Sequence, residues 1–172
     1  MECENVERVH TVVDSPVGPL TLVRIADAVC GLYMDQQRHL PDSARFGARL
    51  DAGFGDVTMQ LAEYFRGERT GFTVPLAPDG TEFQRRVWAA LRTIPYGTRW
   101  TYKQLAEHLG NPAAIRAVAA ANGRNPISII VPCHRVVGSD GSLTGYAGGL
   151  ERKRYLLDLE NPYPPGTQDG LF

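Results

Sequence analysis

The segment NPISIIVPCHRVVG places Cys133 directly before His134 and Arg135. A cysteine reacts as its thiolate, and a free thiol with a pKa of about 8.5 is mostly protonated near neutral pH unless a base or a positive charge assists it. His134 and Arg135 are the nearest residues in the sequence that could give this assistance. The residue types therefore predict nucleophilic chemistry at Cys133.

His134 can serve Cys133 only in certain arrangements. Adjacent side chains on an extended chain point to opposite faces, so the two meet directly only where the backbone turns sharply, and a bridging water is the more natural contact. The histidine then needs an acceptor for its other ring nitrogen, normally a carboxylate from elsewhere in the fold. Three acidic residues of the last predicted helix are candidates: Glu151, Asp158 and Glu160.

A structural role for the same residues is the alternative, because an isolated cysteine after an apolar segment is often a small buried hydrophobic residue. The segment GSDGSLTGYAGGLERKRYLLDLE favours chemistry, since it sets one aromatic residue, Tyr146, among Gly145, Gly148 and Gly149. Glycine permits positive φ angles and the close approach of a backbone to a ligand. Cys133 and this glycine-rich loop together predict a pocket.

Several elements must position these residues. The β-branched segment 129–131 ends at Pro132, which predicts a buried strand followed by a turn. The segments TEFQRRVWAALRTI (81–94) and TYKQLAEHLG (101–110) each begin with a threonine and carry a glutamine three residues later. This spacing is typical of a capping box and predicts two helices.

The segment NPAAIRAVAAANGRN predicts a third helix, with Asn111 as the cap, Pro112 in the first position and an end near Gly123. Together with the preceding short helix it predicts a helix-turn-helix. Alanine dominates the third helix, and Arg116 is its only long charged side chain before Arg124. A helix with such a surface could lie in a DNA groove without forming hydrogen bonds to base edges. A core helix packed by its alanines fits the spacing equally well.

The whole chain has 172 residues, of which 43% are hydrophobic and 22% charged, an ordinary globular composition. The acidic start MECENVERVH lacks the apolar segment of a signal peptide, and no window approaches a membrane span. We therefore expect a cytoplasmic protein. The odd set of Cys3, Cys30 and Cys133 argues against a disulfide framework and a four-cysteine zinc site.

Charge divides the chain into two halves. Residues 1–81 carry 7 Lys+Arg against 12 Asp+Glu, and residues 82–172 carry 11 against 7. The second half could therefore meet phosphates, although a solvated face of mixed charge explains the asymmetry about as well. Within the first half, residues 7–34 predict a small antiparallel meander, and one helix follows from Val57 to Phe65. We predict an α/β (α+β) protein with an N-terminal domain at 1–78 and a mainly helical, winged-helix-like C-terminal domain at 79–172.

The residues from Phe83 to Glu160, with IIVPCHRVVG, the helix-turn-helix and the YAGG loop in register, resemble the catalytic domain of the O6-alkylguanine-DNA alkyltransferases. DSPVGPLTL and the acidic half look like the less diagnostic N-terminal domain of that family. The resemblance implies a suicide repair protein that moves an alkyl group from O6-alkylguanine in duplex DNA irreversibly to its own cysteine. O4-alkylthymine is a further candidate substrate, and no cofactor is implied.

By motif match, the resemblance gives Cys133 the role of nucleophile, activated through a water by His134 and Glu160. Tyr102 matches the residue that donates to the leaving base at N3, and its alternative role is helix packing. Backbone groups near Val131, Cys133 and Ala147 would contact the guanine edge. The remaining residues matched to substrate binding are Asn125, which ties its turn together, Tyr146, which walls the pocket, and Gly148.

The resemblance also implies that the target base is flipped out of the duplex from the minor-groove side. Arg116 matches the arginine that enters the base stack in place of the flipped base. The other residues matched to DNA binding are Thr101, Tyr102, Ala117, Ala121 and Arg124. The expected partner is double-stranded DNA containing alkylated guanine, bound by a monomer, with cooperative binding along DNA left open.

Departures from the family pattern bear on two points. Some relatives have serine where this chain has Ala147, which removes a hydroxyl contact to the guanine O6. Some members bind a structural zinc, but Cys3 and Cys30 do not complete a set of four ligands here, so we predict no metal. Two other classes stay in view: a lesion-binding relative, which would lack the nucleophile, and a cysteine hydrolase that turns over and needs no DNA.

Overall fold

The computed structural model describes residues 7–161. Its N-terminal half is a four-stranded sheet with the strand order β3-β2-β1-β4. β1 (Arg8–Val13), β2 (Leu20–Ile25) and β3 (Ala28–Met34) form the predicted antiparallel meander, and β4 (Ala48–Arg49) pairs in parallel with β1. α1 (Gly55–Phe65) follows, beginning two residues before the predicted Val57.

The C-terminal half is mainly helical, which together with the sheet confirms the predicted fold class. Its helices are α2 (Glu82–Leu91), α3 (Tyr102–His108), α4 (Ile115–Gly123) and α5 (Leu150–Leu159). Two short strands, β5 (Trp100–Thr101) and β6 (Val136–Val137), pair in parallel. Both predicted capping boxes form, at the N-termini of α2 and α3, and α3 packs against α4 as a helix-turn-helix.

The predicted start of α4 is wrong. The helix begins at Ile115, its N-cap is Ala114, and no side chain caps it. Asn111 instead begins a separate turn, in which its carbonyl oxygen accepts a hydrogen bond from the backbone N–H of Ala114 at 3.0 Å. Proline favours the second position of such a turn as readily as the first position of a helix, so Pro112 could not distinguish the two.

The predicted strand at 129–131 is also wrong, because these buried residues form a compact turn. The N–H of Val131 donates to the carbonyl of Ile127 at 3.0 Å, and Ile129 has a φ of 73°. A positive φ is unfavourable for a β-branched residue and persists only where the surroundings impose it. The side chain of Asn125, described below, provides the hydrogen bonds that do so.

The two halves are joined through one continuous hydrophobic core. Leu32 of β3 forms a parallel bridge with Ile127, directly before the Cys133 segment. On the other side of the site, the N–H of Arg38 donates to the carbonyl of Ala147 at 2.8 Å. The N-terminal sheet therefore supports both the cysteine segment and the glycine-rich loop. Within residues 7–161, no helix is both long and apolar enough to cross a membrane.

Candidate active site

Cys133 is held by the turn that Asn125 closes. The Asn125 side chain donates from Nδ2 to the carbonyl of Val131 at 2.8 Å and accepts from the N–H of Ile127 at 3.0 Å. Asn125 is buried, so both hydrogen bonds are shielded from water. The chain then enters a short 3-10 turn, Cys133–Arg135, which supplies the sharp backbone bend after the cysteine.

Glu160, at the C-terminal end of α5, meets both residues that follow Cys133. Its Oε2 lies 2.7 Å from Nε2 of His134, and its Oε1 accepts from Nε of Arg135 at 2.7 Å. His134 and Glu160 are fully or almost fully buried, with exposures of 0% and 2%. The other two acidic residues of this region, Glu151 and Asp158, are exposed. The structure thus brings His134 together with one of its three candidate carboxylates.

The pairing fixes which nitrogen of His134 carries the proton. A carboxylate that accepts from Arg135 is ionised, so Nε2 must donate to it. In the neutral imidazole, Nδ1 then has a free lone pair, and this atom is buried without a hydrogen-bond partner among the described residues. A buried acceptor of this kind needs a donor, which the bridging water predicted from the sequence would supply.

Burial and charge set the proton affinities of this chain of groups. Burial alone would raise the pKa of Glu160, but His134 and Arg135 outweigh it and lower the value to about 2. Burial lowers the pKa of His134, against the opposing effect of Glu160, so the imidazole is neutral at rest. Burial raises the pKa of the Cys133 thiol, partly offset by Asn125 and Lys153. In the resting site the Cys133 thiol is therefore protonated and the His134 imidazole is neutral.

Lys153 on α5 is a charged residue of the site that the sequence analysis did not identify. It is completely buried, and its Nζ donates to the carbonyls of Val136 at 2.6 Å and Thr144 at 2.9 Å. Burial lowers the pKa of Lys153 to about 8, while Cys133 acts in the opposite direction. Since these partners are neutral, the Cys133 thiolate is the group that can balance the ammonium charge.

Replacing Lys153 with methionine is expected to lower the fraction of Cys133 that is ionised to the thiolate. Labelling of Cys133 by iodoacetamide at pH 7 should slow roughly fivefold, as expected when a charge interaction of about 1 kcal/mol is lost. Peptide mass mapping separates labelling at Cys133 from labelling at Cys30. Lys103→Met is the control, because Lys103 is an exposed lysine paired with Glu107 on α3. Equal labelling rates in the two variants would contradict a charge effect at Cys133.

A cavity of about 470 Å³ lies between α4, the start of α3 and the glycine-rich loop, but the buried Cys133 is not among its lining residues, in contrast to the pocket predicted from Cys133 and this loop. Tyr102, Tyr146 and Ala147 line it, and Arg38 and His39 add a wall from the N-terminal half that the sequence analysis did not foresee. The hydroxyl of Tyr102 donates to the carbonyl of Thr144 at 3.0 Å. An aromatic wall with a hydroxyl at the mouth suits a flat heteroaromatic ligand.

Gly148 and Val131 both have a structural role. A Cβ atom at Gly148 would overlap the Sδ of Met34 and the Tyr146 ring, so this glycine allows tight packing beside the cavity. Val131 is buried, and its carbonyl oxygen accepts from Asn125 and from the N–H of Cys133 at 2.8 Å, which maintains the turn. Contacts of Gly148 and of backbone groups near Val131 with a substrate stay predictions.

The residues predicted to bind nucleic acid fall on two sides of α4. Arg116, Ala117 and Arg124 are exposed. Ala121 is buried, and its carbonyl accepts from Nε1 of Trp88 at 2.8 Å, so its side chain packs inside the protein and a DNA contact by Ala121 stays a prediction. It lies one turn after Val118 on the side that packs against α2. Thr101 is half-buried, and its hydroxyl accepts the capping hydrogen bond from Gln104.

No group of three or more metal-binding side chains is present among residues 7–161. Cys30 is buried as a free thiol, whereas Cys3 lies outside the described residues. Cys30 has neither His134 nor Glu160 as a hydrogen-bond partner, whereas Cys133 directly precedes His134 in the sequence.

Comparison with protein families matches both halves of the chain. Residues 82–162 match the DNA binding domain of 6-O-methylguanine DNA methyltransferase, and residues 9–78 match its ribonuclease-like domain. A methylated-DNA--protein-cysteine methyltransferase of Mycobacterium bovis is 49% identical over 156 residues, which cover 91% of this chain and 94% of that protein. The protein of the same name from Methanosarcina acetivorans is 47% identical over 154 residues, covering 88% and 97% of the two chains.

Solved structures give the same result. The crystal structure of Mycobacterium tuberculosis OGT in complex with DNA has a TM-score of 0.85 and 47% identity, and covers 93% of this chain and 97% of that chain. The O6-methylguanine-DNA methyltransferase of the archaeon Pyrococcus kodakaraensis shares the fold at 21% identity, with a TM-score of 0.52.

Proposed function

This chain belongs to the 6-O-methylguanine DNA methyltransferase family, and on that premise we propose that Cys133 is the cysteine that accepts the alkyl group. The protein is a DNA repair methyltransferase that transfers an alkyl group from DNA to one of its own cysteines. The observation that supports Cys133 is the buried Glu160–His134 pair, whose free Nδ1 belongs to the residue next to this thiol. An alanine at this position would leave that base with no thiol to deprotonate.

The proposed reaction begins with removal of the thiol proton. A water accepts the proton from Sγ of Cys133 and gives one to Nδ1 of His134, and Glu160 stabilises the imidazolium that forms. The thiolate attacks the alkyl carbon in line, an S–C bond forms, and the C–O6 bond breaks with its electron pair passing to the guanine. The product is a thioether, which no group in the site can hydrolyse, so each molecule reacts once.

The leaving guanine must have its negative charge neutralised. We assign this step to Tyr102, whose hydroxyl would exchange its hydrogen bond with Thr144 for one to N3 of the base. Burial raises the pKa of Tyr102, which keeps its proton available for donation at neutral pH. In this arrangement Tyr146 walls the flipped base, and the backbone of Ala147 lies at its O6 edge, where no side-chain hydroxyl assists.

The exposed face of α4 would enter the minor groove, with Arg116 filling the place of the flipped nucleotide. Arg116→Ala is expected to slow transfer from a duplex roughly tenfold or more, because unstacking a base costs a few kcal/mol that the arginine offsets. Transfer from the same lesion in single-stranded DNA should change much less, since no stack has to be filled. Single-turnover transfer rates on the two substrates measure this difference.

Arg66→Ala provides the control for this prediction, because Arg66 is an exposed arginine of the N-terminal half that pairs with the nearby Glu68 at 3.1 Å. It should leave both rates unchanged. A loss of equal size on duplex and single strand in Arg116→Ala would argue for a phosphate contact instead of a role in base flipping.

The direct test of the function uses a duplex with labelled O6-methylguanine, increasing amounts of protein and mass mapping of the labelled peptide. We expect one methyl group per molecule, on Cys133. Many methyl groups released per molecule would indicate a turning-over hydrolase. Tight binding without transfer would indicate a lesion-binding protein.

A further inference from the structure

A tyrosine of the N-terminal half reaches the centre of the acid–base relay. Tyr64 lies on the inner face of α1 and is completely buried. Its hydroxyl donates to Oε2 of Glu160 at 2.5 Å, across 96 residues of sequence. This is the length of a charge-assisted hydrogen bond between a hydroxyl and a carboxylate. The oxygen concerned is the same one that accepts from Nε2 of His134.

Resting on the function proposed above, we propose that Tyr64 is a positioning residue for alkyl transfer, which holds Oε2 of Glu160 where it accepts from His134. Arg135 donates from Nε to Oε1 at 2.7 Å and from Nη2 to Oε2 at 3.1 Å, so the guanidinium already fixes the plane of the carboxylate. The Tyr64 hydroxyl adds a second, shorter hydrogen bond to Oε2 and so holds the oxygen that accepts from His134. The orientation of the imidazole, and with it the direction of Nδ1, then depends on a residue outside the catalytic half.

The aromatic packing around Tyr64 supports a fixed geometry. Its ring lies 5.5 Å from that of Phe72 and 6.4 Å from that of Tyr96, the latter edge-on. Tyr96 in turn carries the guanidinium of Arg135 5.7 Å above its ring. The rings therefore hold the Tyr64 hydroxyl toward Glu160. The same aromatic cluster also packs against Arg135, the cationic partner of the carboxylate.

The hydroxyl also limits the basicity of the carboxylate. Burial and the Glu160 carboxylate hold the pKa of Tyr64 well above its ordinary value, so the hydroxyl keeps its proton and donates a hydrogen bond to Oε2 near neutral pH. A carboxylate that accepts this hydrogen bond attracts the proton of His134 less strongly. Removal of the hydroxyl should therefore raise the pKa of His134. The ionisable groups that face this cluster are Glu160 from α5, His134 and Arg135 from the 3-10 turn, Tyr96 after α2, and Tyr146 from the glycine-rich loop.

Tyr64→Phe tests the proposal, since it removes one oxygen atom and keeps the packed ring. At saturating DNA, the single-turnover transfer rate should fall roughly tenfold, the loss expected for one hydrogen bond to a charged group. The acidic limb of the rate profile should move to higher pH, because His134 must be neutral to accept a proton. The DNA concentration at half-saturation should not change, since Tyr64 lies far inside the protein.

Tyr155→Phe is the control, because Tyr155 is 39% exposed on α5 and its hydroxyl is not one of the donors to the Glu160 carboxylate. It should keep the wild-type rate and pH profile. A second measurement uses the Cys133→Ala background, in which no transfer occurs: the Nε2 proton resonance of His134 should shift in Tyr64→Phe and not in Tyr155→Phe.

An unchanged rate and pH profile in Tyr64→Phe would overturn the inference, and so would a slower rate without a shift of the acidic limb, which indicates loss of packing alone. These outcomes leave the proposed function intact as long as wild type transfers one methyl group to Cys133. Absence of that transfer in wild type would overturn the proposed function, and the role of Tyr64 with it.

Discussion

Cys133→Ala is expected to transfer no label from an O6-methylguanine duplex while still binding that duplex with close to wild-type affinity. The Cys133 side chain is 4% exposed and lies on a turn fixed by the Asn125 side chain, so removal of the sulfur leaves the backbone of the site in place. The binding face on α4 does not depend on it. Gel-shift titrations and label transfer on the same samples separate binding from chemistry.

Cys30→Ala is the control for this experiment, because it removes the other described free thiol, which is also buried. It should transfer one methyl group per molecule, as wild type does. Label found on Cys30, or residual transfer in Cys133→Ala, would show that Cys133 is not the nucleophile. It would also contradict the role proposed for His134 and Glu160 in its activation.

Glu160→Gln is expected to have the second largest effect, on both rate and stability. A glutamine amide can donate to Nε2 of His134, which reverses the tautomer and places a proton on Nδ1, where the relay needs an acceptor. The transfer rate should fall roughly 10²- to 10⁴-fold, the range seen when an acid–base residue is lost. Arg135 also loses its counter-charge inside the protein, which costs about 3–5 kcal/mol of the free energy of unfolding.

The pH dependence of stability gives an independent check on Glu160. Its pKa is lowered from an ordinary value of 4.5 to about 2 in the folded protein. A carboxylate with a depressed folded pKa stabilises the fold fully above its unfolded value, and this contribution is lost as the pH falls toward the folded value. Wild type should therefore lose stability between about pH 4.5 and 2.

Denaturant titrations of the Gln variant should lack most of that dependence. Asp158→Asn is the control, since Asp158 is exposed near the end of the same helix. It should leave rate and stability almost unchanged. A Glu160→Gln protein as stable as Asp158→Asn would show that the ion pair with Arg135 contributes little to the fold.

Local patterns predicted the parts of the fold that depend on neighbouring residues. Both capping boxes formed, because each needs only a threonine and a glutamine three positions apart. The antiparallel meander formed because its strands are separated by short turns. The turn at 127–131 was missed because three β-branched residues in succession favour a strand, and the side chain of Asn125, two to six residues away, overrides that preference.

The candidate site shows the same limit more clearly. Glu160 was one of three acidic residues on a predicted helix, and the family resemblance, not a local pattern, selected it over Asp158. Tyr64 lies on an apolar stripe with Val57 and Leu61, which predicts burial but not the residue that its hydroxyl meets. Lys153 lies seven residues before Glu160, on the same face of α5, and only the fold shows that this face meets the cysteine segment.

The burial of Cys133 affects how long a protein molecule that has not yet reacted keeps its ability to accept an alkyl group. Exposed, ionised thiols are the ones that peroxides convert to sulfenic acid and that electrophilic metabolites modify. A protein whose nucleophile works only once has no way to recover from such a reaction, so every stray oxidation removes one repair event. The thiol at 4% exposure, with its pKa raised by burial, is shielded from these agents until a damaged base reaches the pocket.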